Sequence, residues 1–303
     1  MTTAVTARPG AVNLDRAARD ARLDVLIEHA HGLLERAIRE QITDHRDGKH
    51  RGRRHVATAV LFSGGNDSTV LAHLFREHAT HAIHANTGIG VEATRQFVRD
   101  TCAAWGLPII EKHPPPGSTY RELVLADGFP GPAKHWKMYQ RLKERALRAA
   151  KNELVRRPQS ERMIFLAGRR RSESARRTAR DIPEVERCTS IVWVSPLRNW
   201  TALDLNTYRM RFPDCPRNEV ADMLHMSGEC LCGAFASPGE LDELSCWPIT
   251  AAAVTDIRKL EAEAIAAGIP EPRCHWGWGA DRDRSTARSG PMCSSCDMAG
   301  ELS

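Results

Sequence analysis

The stretch Leu61-Phe62-Ser63-Gly64-Gly65-Asn66-Asp67-Ser68-Thr69 decides the fold. The apolar residues 56–62 run into it, and a helical pattern over residues 69–77 follows it. This order predicts a strand, a turn at the two glycines and the first turn of a helix. Such a junction is a place where the backbone can bind an anion.

The residue types at the junction suit a phosphate group. Paired glycines let the backbone bring its N–H groups close to an anion, and a helix N-terminus adds about half a positive charge. Ser63 and Ser68 can donate further hydrogen bonds, and Asp67 can hold the Mg²⁺ that accompanies a nucleotide. The alternative is an ordinary Gly-Gly turn in which Asp67 and Ser68 only cap the helix.

At these residues the chain resembles the PP-loop ATP pyrophosphatase superfamily, whose signature is SGGxDS. It is not a Walker loop, because no G-x-x-x-x-G-K-[ST] pattern surrounds it. The resemblance implies that ATP and Mg²⁺ bind at one loop, formed by Ser63, Gly64, Gly65, Asn66, Asp67 and Ser68.

Composition limits the remaining possibilities. The chain has 303 residues, of which 42% are hydrophobic, a length that suits a large globular domain or a core domain with an appendage. Its formal charge is +5, but residues 45–55 carry five Lys/Arg and residues 168–180 carry six Arg, clusters that suit phosphates or nucleic acid. No long apolar span or signal peptide is visible, so we expect a soluble, cytoplasmic protein without a membrane partner.

The order of patterns predicts three regions. Residues 1–55 form a tail, an amphipathic helix over 14–42 and the basic linker; residues 56–212 form the nucleotide-binding domain; and residues 213–303 form a Cys-rich region. In the middle region, strands at 56–62, 81–85, 107–111, 163–167 and 191–194 alternate with helices. This alternation predicts an α/β fold with a doubly wound parallel sheet and a ligand at the carboxyl ends of the strands.

Two segments after predicted strands extend the resemblance. Asn86-Thr87-Gly88 resembles the "DTG" segment of sulfonucleotide reductases, with Asn86 in place of an acidic residue. The segment from Gly168 to Arg177 resembles the G-x-R-x-x-E-S-x-x-R element of phosphoadenylylsulfate (PAPS) reductase relatives. The resemblance implies nucleotide-binding roles for Asn86, Gly88 and Gly168, and phosphate-binding roles for Arg170 and Arg177. A nucleic-acid-binding loop is the rival explanation for the arginines.

Two further helical elements complete the middle region. A basic helix over residues 134–153 is either a solvated face or a lid that supplies cations to phosphates. A P-L-x-x-W-T-x-x-D element also matches the PAPS reductase relatives. Its matching residues are Pro196, Leu197, Trp200, Thr201 and Asp204. The resemblance implies the adenine nucleotide alpha hydrolase-like fold for residues 56–212.

The cysteines predict a metal centre. Cys230 and Cys232 form one pair, Cys293 and Cys296 form another, and a helix over residues 250–267 separates them. Four thiolates can hold structural zinc or an iron–sulfur cluster. The resemblance, which includes the DNA phosphorothioation sulfurtransferase branch, implies a [4Fe-4S] cluster, with zinc as the alternative. Cys215 either replaces one of these four as a ligand or remains a free thiolate that carries or receives sulfur.

A departure from the PAPS reductases decides the functional prediction. Those enzymes use a cysteine in a C-terminal E-C-G-[LI]-H motif that this chain lacks, and they usually lack the Asp that stands here as Asp67. We therefore expect an ATP pyrophosphatase that adenylates an acceptor for sulfur transfer, with Asp67, Arg170, Arg177 and Cys215 as the catalytic residues. The expected partners are an adenine nucleotide, a nucleic acid as acceptor, and a cysteine desulfurase or other sulfur donor.

Two other functions remain open on the sequence. One is a sulfonucleotide reductase that releases sulfite from PAPS or adenylylsulfate. The other is a zinc-stabilised module that binds nucleic acid without catalysis.

Overall fold

Strands in the computed structural model form one large sheet and one short hairpin. The structure describes residues 15–47, 50–173 and 182–279. The strands in those ranges are β1 (Arg46–Asp47), β2 (His50–Arg51), β3 (Arg54–Leu61), β4 (His81–Ala85), β5 (Ile109–Lys112), β6 (Glu161–Leu166), β7 (Val185–Cys188) and β8 (Ile191–Val194). β1 and β2 pair with each other, and the remaining six form the large sheet.

The large sheet has the strand order β5-β4-β3-β6-β8-β7. The strands from β5 to β8 are parallel, as predicted, so their carboxyl ends meet at one edge. The edge strand β7 differs, because it runs antiparallel to β8 across a tight turn at Thr189. A two-residue connection between adjacent strands can only form a hairpin, whereas a parallel pair needs a crossover. The sequence analysis did not predict this strand.

The predicted helices are found except at the basic segment, and two short helices between residues 219 and 245 were not predicted. They are α1 (Arg16–Ile38), α2 (Asn66–Phe75), α3 (Glu92–Ala104), α4 (Tyr120–Asp127), α5 (His135–Tyr139), α6 (Arg145–Leu154), α7 (Ala202–Arg211), α8 (Glu219–Leu224), α9 (Glu240–Ser245) and α10 (Ala251–Ala266). The segment predicted as one basic helix over 134–153 is instead α5 and α6 joined by a π-helical turn, Gln140–Glu144.

Alternate residues of the strands pack on opposite faces of the sheet. Val60 and Ile164 belong to the core beneath α1 and α2, while Ala59 and Phe165 belong to the core beneath α6. Burial on both faces is what a central parallel strand requires. The predicted doubly wound α/β fold is therefore confirmed.

A third hydrophobic cluster joins the C-terminal region to the carboxyl-end loops. It combines α4 and the loop at Ile89 with residues beyond 219, including Leu231 and Trp276. The Leu231 N–H donates to the Ile89 carbonyl at 2.6 Å, and a Cβ on Gly90 would lie 2.3 Å from the carbonyl oxygen of Glu229. The Cys230 segment therefore lies directly against the end of β4, where a glycine makes the approach possible.

Membrane-spanning helices are not found in the described ranges. None of the helices there is both long and apolar enough to cross a bilayer.

Candidate functional site

A cavity of about 350 Å³ lies at the carboxyl edge of the sheet. It is bounded by the end of β3, the start of α2 and the segment after β6. Seven of the predicted nucleotide-binding residues line it, namely Ser63, Gly65, Asn66, Asp67, Ser68, Gly168 and Arg170. The structure thus brings most of the predicted site together around one open space.

The predicted phosphate loop has the geometry of an anion site. Gly64 has φ +77°, and a Cβ there would lie 2.7 Å from Thr94 Cγ2, so the turn requires glycine. The hydroxyl oxygens of Ser63 and Ser68 are 3.1 Å apart. No side chain among the described residues caps α2, whose N-cap is Gly65. The first N–H groups of the helix are therefore available to an anion.

Gly168 allows β6 to end close to α2. A Cβ at this position would lie 3.3 Å from the backbone nitrogen of Ser68 and 3.5 Å from the Cβ of Asp67. This close approach places the next two residues, Arg169 and Arg170, at the wall of the cavity.

Asp67 and Arg170 contact each other across the cavity wall. Arg170 Nε donates to Asp67 Oδ2 at 2.7 Å, and Arg170 Nη1 donates to Ser172 Oγ at 3.2 Å. The Asp67 side chain is 18% exposed and the Arg170 side chain is 11% exposed. Partial burial strengthens their attraction, and each still faces the cavity. A bound nucleotide and its cation would compete with this ion pair for both partners.

Three further cations line the cavity. The sequence analysis considered Lys143 only as part of a possible cation-supplying lid and did not assign Arg169 or Arg209 individually to the nucleotide. Arg209 in α7 donates through Nη2 to the Asn66 side chain at 2.6 Å and so contacts the phosphate loop. The Arg169 guanidinium lies 4.5 Å from the centre of the Trp193 ring, and Lys143 lies in the π-helical turn. Arg209 had a weak sequence signal, since it follows the P-L-x-x-W-T-x-x-D element on the same helix.

A buried acid forms part of the same wall. Glu229 is 1% exposed, and its Oε2 lies 3.1 Å from Nε2 of the equally buried His84. Its Oε1 accepts from the Thr87 N–H at 2.8 Å. His84 Nδ1 donates to the carbonyl of Phe62, the residue before the phosphate loop, at 2.8 Å. This chain of contacts connects the loop to the residue that precedes Cys230.

Charge and hydrogen bonding control the protonation of His84. Burial is the largest single influence and lowers its pKa, but the hydrogen bond and charge of Glu229, with the Phe62 carbonyl, raise the pKa above its usual value overall. Arg95 adds a positive charge 3.6 Å from Glu229 on the same wall.

Asn86 and Gly88 are not among the residues that line the cavity. Asn86 is buried, and its amide donates to Glu111 at 2.7 Å while its Oδ1 accepts from the Gly88 N–H at 3.0 Å. Hydrogen bonds from Arg99 hold the pKa of Glu111 down to about 2. These contacts shape the loop after β4, and nucleotide binding by Asn86 and Gly88 stays a prediction.

Cys215 lies in the hydrophobic core and interacts with Arg209, a residue that lines the cavity. It is 4% exposed and packs in the cluster that contains Trp200 and Tyr208. Burial raises the pKa of its thiol to about 11, although the positive charge of Arg209 opposes the shift. Its role as a ligand or sulfur carrier stays a prediction. Arg177 lies outside the described residues.

Cys230 and Cys232 lie in the third hydrophobic cluster rather than in the cavity. The Tyr120 hydroxyl donates to the Cys232 carbonyl at 2.9 Å, and the Trp276 indole donates to the Leu231 carbonyl at 2.8 Å. Burial, reinforced by the nearby thiols, raises the pKa of Tyr120 well above its usual value. Cys293 and Cys296 lie outside the described residues, so the structure presents half of the predicted ligand set.

Comparison with known protein families matches the middle region of the chain. Residues 57–220 match the phosphoadenosine phosphosulfate reductase domain. No curated protein sequence matches the chain significantly.

Several solved structures are similar to the chain, all at low identity. A phosphoadenylyl-sulfate (PAPS) reductase from Candida auris, as a phosphate complex, has 19% identity and a TM-score of 0.45 over 71% of this chain and 94% of its own. Yeast FAD synthetase in complex with FAD has 13% identity and a TM-score of 0.40 over 65% and 61%. A U34-tRNA thiolase from Methanococcus maripaludis, with its [4Fe-4S] cluster, has 14% identity and a TM-score of 0.38 over 84% and 76%.

Proposed function

Because the chain belongs to the phosphoadenosine phosphosulfate reductase domain family, whose enzymes act on nucleotides and sulfur, we propose that it is an ATP pyrophosphatase. In this proposal the enzyme binds ATP in the cavity, cleaves it between the α and β phosphates, and adenylates an acceptor for sulfur transfer. The observation that carries the proposal is the contact between Asp67 and Arg170 at the phosphate loop.

The loop and its surrounding cations would bind the polyphosphate. Backbone N–H groups at the start of α2 and the hydroxyls of Ser63 and Ser68 would hold the β and γ phosphates. Arg170 would leave Asp67 and pair with phosphate oxygens, for which its planar fork is well suited. The Lys143 and Arg209 side chains add positive charge at other points of the wall.

Asp67 is the residue that fits a magnesium ion. Its carboxylate faces the cavity next to the phosphate loop, and Mg²⁺ is usually bound by one or two carboxylates together with substrate phosphates. The ion would supply charge neutralisation at the phosphates. Arg170 then has a second role, because it neutralises Asp67 until the nucleotide arrives.

The reaction requires little covalent participation by the protein. An acceptor oxygen forms a bond to the α phosphorus, the bond from that phosphorus to the bridging β oxygen breaks, and pyrophosphate carries away the electron pair. A hydrosulfide-level nucleophile then replaces the oxygen-linked AMP, so the acceptor gains sulfur and AMP leaves. Catalysis therefore rests on positioning and charge stabilisation.

The acceptor is proposed from the charge of the chain. The six arginines of residues 168–180 begin at the cavity wall and would attract a polyanion such as a nucleic acid. A cysteine desulfurase with its reductant could supply sulfur at the hydrosulfide level. Thiolation or phosphorothioation of nucleic acid is the corresponding proposal for the acceptor.

Cys230 and Cys232 suit the proposed [4Fe-4S] cluster or the alternative zinc ion. Cys230 is half-buried and Cys232 is buried, and both lie near Tyr120. Thiolates are the usual protein ligands of both zinc and iron–sulfur clusters. A cluster would supply redox or sulfur chemistry, whereas zinc would only tie the segments together.

The second candidate is a sulfonucleotide reductase, which needs a thiol at the nucleotide. None of the described residues that line the cavity is a cysteine, and Cys215 is buried in the hydrophobic core. These observations favour ATP cleavage, but the family match keeps the reductase as an alternative.

Product analysis separates the candidates. The anaerobically purified full chain is incubated with nucleic acid and either ATP with Mg²⁺ or PAPS with a thiol reductant, and pyrophosphate, AMP and sulfite are measured. Pyrophosphate from ATP is the expected product. Sulfite from PAPS without pyrophosphate from ATP would select the reductase. Nucleic-acid binding without any product would select the zinc-stabilised module.

A further inference from the structure

A second cluster of metal-ligand residues lies in the turn after α10. It consists of Glu271, Cys274 and His275, and each residue offers one ligand atom: a carboxylate oxygen, the Sγ or a ring nitrogen. These three atoms lie within 4.8 Å of one another. Glu271 Oε1 and His275 Nε2 are already 3.0 Å apart. The geometry points to a mononuclear zinc site formed by Glu271, Cys274 and His275, separate from the predicted four-cysteine centre.

The donor set and its spacing match zinc. Cysteine sulfur, histidine nitrogen and carboxylate oxygen are the protein ligands of Zn²⁺, at about 2.0–2.3 Å from the ion. Tetrahedral ligands at such distances lie about 3.5 Å apart, so small side-chain rotations would close the cluster. Three protein ligands leave a fourth position for water or for another side chain.

A second, independent observation is the carboxylate of Glu261, which lies near the other ring nitrogen of His275. His275 presents Nε2 to Glu271 and Nδ1 to Glu261, whose Oε1 lies 3.7 Å away. Metal-binding histidines commonly direct their other ring nitrogen to a carboxylate, which fixes the tautomer and the ring orientation. Glu261 is itself held in place, because it accepts the Trp276 N–H at 2.8 Å.

The turn is anchored at Arg273 to residues 127–129, at the end of α4. The Arg273 carbonyl accepts the Phe129 N–H at 2.7 Å, and Arg273 Nη1 donates to the Asp127 carbonyl at 3.1 Å. Cys274 is 2% exposed and packs in the third hydrophobic cluster, while Glu271 and His275 face solvent. The ion would therefore bind at the surface, on a turn that the core holds in position.

The site would have a structural role beside the Cys230 segment. Trp276, the residue after His275, donates its indole N–H to the Leu231 carbonyl between Cys230 and Cys232. Zinc at the turn would fix this tryptophan and hence the segment that carries the first predicted cysteine pair. This inference does not depend on the proposed reaction.

Metal analysis of matched variants tests the site. His275→Gln removes an exposed ligand and Cys274→Ala a buried one, and His113→Gln and Cys102→Ala are their controls, since His113 is exposed and Cys102 is buried away from the turn. Zinc and iron are counted in the purified full-length proteins. Zn²⁺ affinity is then measured by competition with a chromophoric chelator, and Co²⁺ is used to detect a thiolate-to-metal absorption band.

The expected result is that His275→Gln and Cys274→Ala each lose one zinc, while the controls keep it. The Cys230→Ser/Cys232→Ser protein should retain a cobalt–thiolate band, and adding Cys274→Ala to it should remove that band. Glu261→Gln should weaken zinc binding by about 10- to 100-fold, the usual effect of removing such a carboxylate. Unchanged zinc affinity in His275→Gln, which removes only an exposed side chain, would overturn the site. Loss of iron together with zinc in that variant would also overturn it, because the residues would then belong to the four-cysteine centre.

Discussion

Arg170 Nε lies 2.7 Å from Asp67 Oδ2, so a cation from the end of β6 and an acid from the first turn of α2 neutralise each other at the phosphate loop. The two residues are 103 positions apart in the chain, and the parallel pairing of β3 with β6 brings them together. Nucleotide binding at this loop should exchange the ion pair for contacts with phosphate and its cation. The first prediction follows from that exchange.

Replacing Arg170 by alanine should weaken ATP binding by at least about tenfold. A charge-assisted hydrogen bond contributes about 1.5–3 kcal/mol, and a factor of ten corresponds to about 1.4 kcal/mol. Calorimetric titration with ATP and Mg²⁺ measures the affinity, and Arg258→Ala, at an exposed ion pair on α10, serves as the control. Equal affinity in wild type and Arg170→Ala would remove Arg170 from the site.

Adding one methyl group at Gly168 should displace the start of α2 and so disturb the phosphate loop. The new Cβ would lie 3.3 Å from the Ser68 backbone nitrogen, so the start of α2 must shift. Overpacking of this kind costs about 1–3 kcal/mol of unfolding free energy, and we expect nucleotide affinity to fall with it. Denaturant unfolding and ATP titration of Gly168→Ala test this.

Gly32→Ala is the matched control for that substitution. Gly32 lies inside α1, where its Cβ would meet only the end of the Arg36 side chain. Alanine should stabilise the helix there by up to about 1 kcal/mol and leave ATP affinity unchanged. Nucleotide affinity that is normal in Gly168→Ala would contradict the close approach of β6 to the loop.

The buried His84–Glu229 pair predicts a pH dependence of stability. The pKa of His84 is raised in the folded protein, because the pull of Glu229 and the Phe62 carbonyl exceeds the opposing effect of burial. The folded state therefore binds the proton more tightly than the unfolded chain, in which the imidazole has a pKa of about 6.5. The stability from this pair should be complete below that pH and fall as the pH rises through the raised pKa.

His84→Gln should lose this contribution. Removing one partner of a buried ion pair costs about 3–5 kcal/mol, so the difference from wild type should be largest at acidic pH and smaller at alkaline pH. Urea unfolding of both proteins across the pH range measures their difference in unfolding free energy. Because both proteins contain the other histidines, the titration of those residues cancels in the difference. A difference in unfolding free energy that grows as the pH rises would show that His84 is neutral in the folded protein.

Cys215 should react slowly with thiol reagents. It is buried, and burial raises the pKa of its thiol to about 11, so little thiolate forms at neutral pH. The exposed Cys246 is the internal reference. Mass spectrometry after brief alkylation of the native protein should find Cys246 modified well before Cys215. Equal rates would show that Cys215 is accessible enough to carry sulfur.

The sequence predicted the features that depend on neighbouring residues. The phosphate loop could be recognised because strand, glycines and helix start are contiguous from residue 56 to 77, and their roles follow from backbone geometry. The short edge strand β7 was missed because its four residues are not fully buried and show no clear pattern. One basic helix was predicted where a π-helical turn separates α5 from α6, a backbone change with no clear residue signature.

The contacts that cross the fold could not be predicted. Glu229 reaches His84 only because residues 228–231 lie against the end of β4, and no local pattern marks either residue as part of the site. Arg209 contacts the phosphate loop across 143 positions for a similar reason. The four-cysteine centre stays a prediction, as Cys293 and Cys296 lie outside the described residues.

Pyrophosphate release from ATP by wild type and Asp67→Asn tests the central claim most directly. Asparagine preserves the size of the side chain but removes the charge that would hold Mg²⁺ and pair with Arg170. Asp256→Asn, at an exposed position of α10, is the control. With the acceptor present at saturating Mg²⁺, we expect a loss of at least about 100-fold in Asp67→Asn, comparable to removing one catalytic electrostatic contact, and wild-type rates in the control. Wild-type pyrophosphate release by Asp67→Asn would contradict the account.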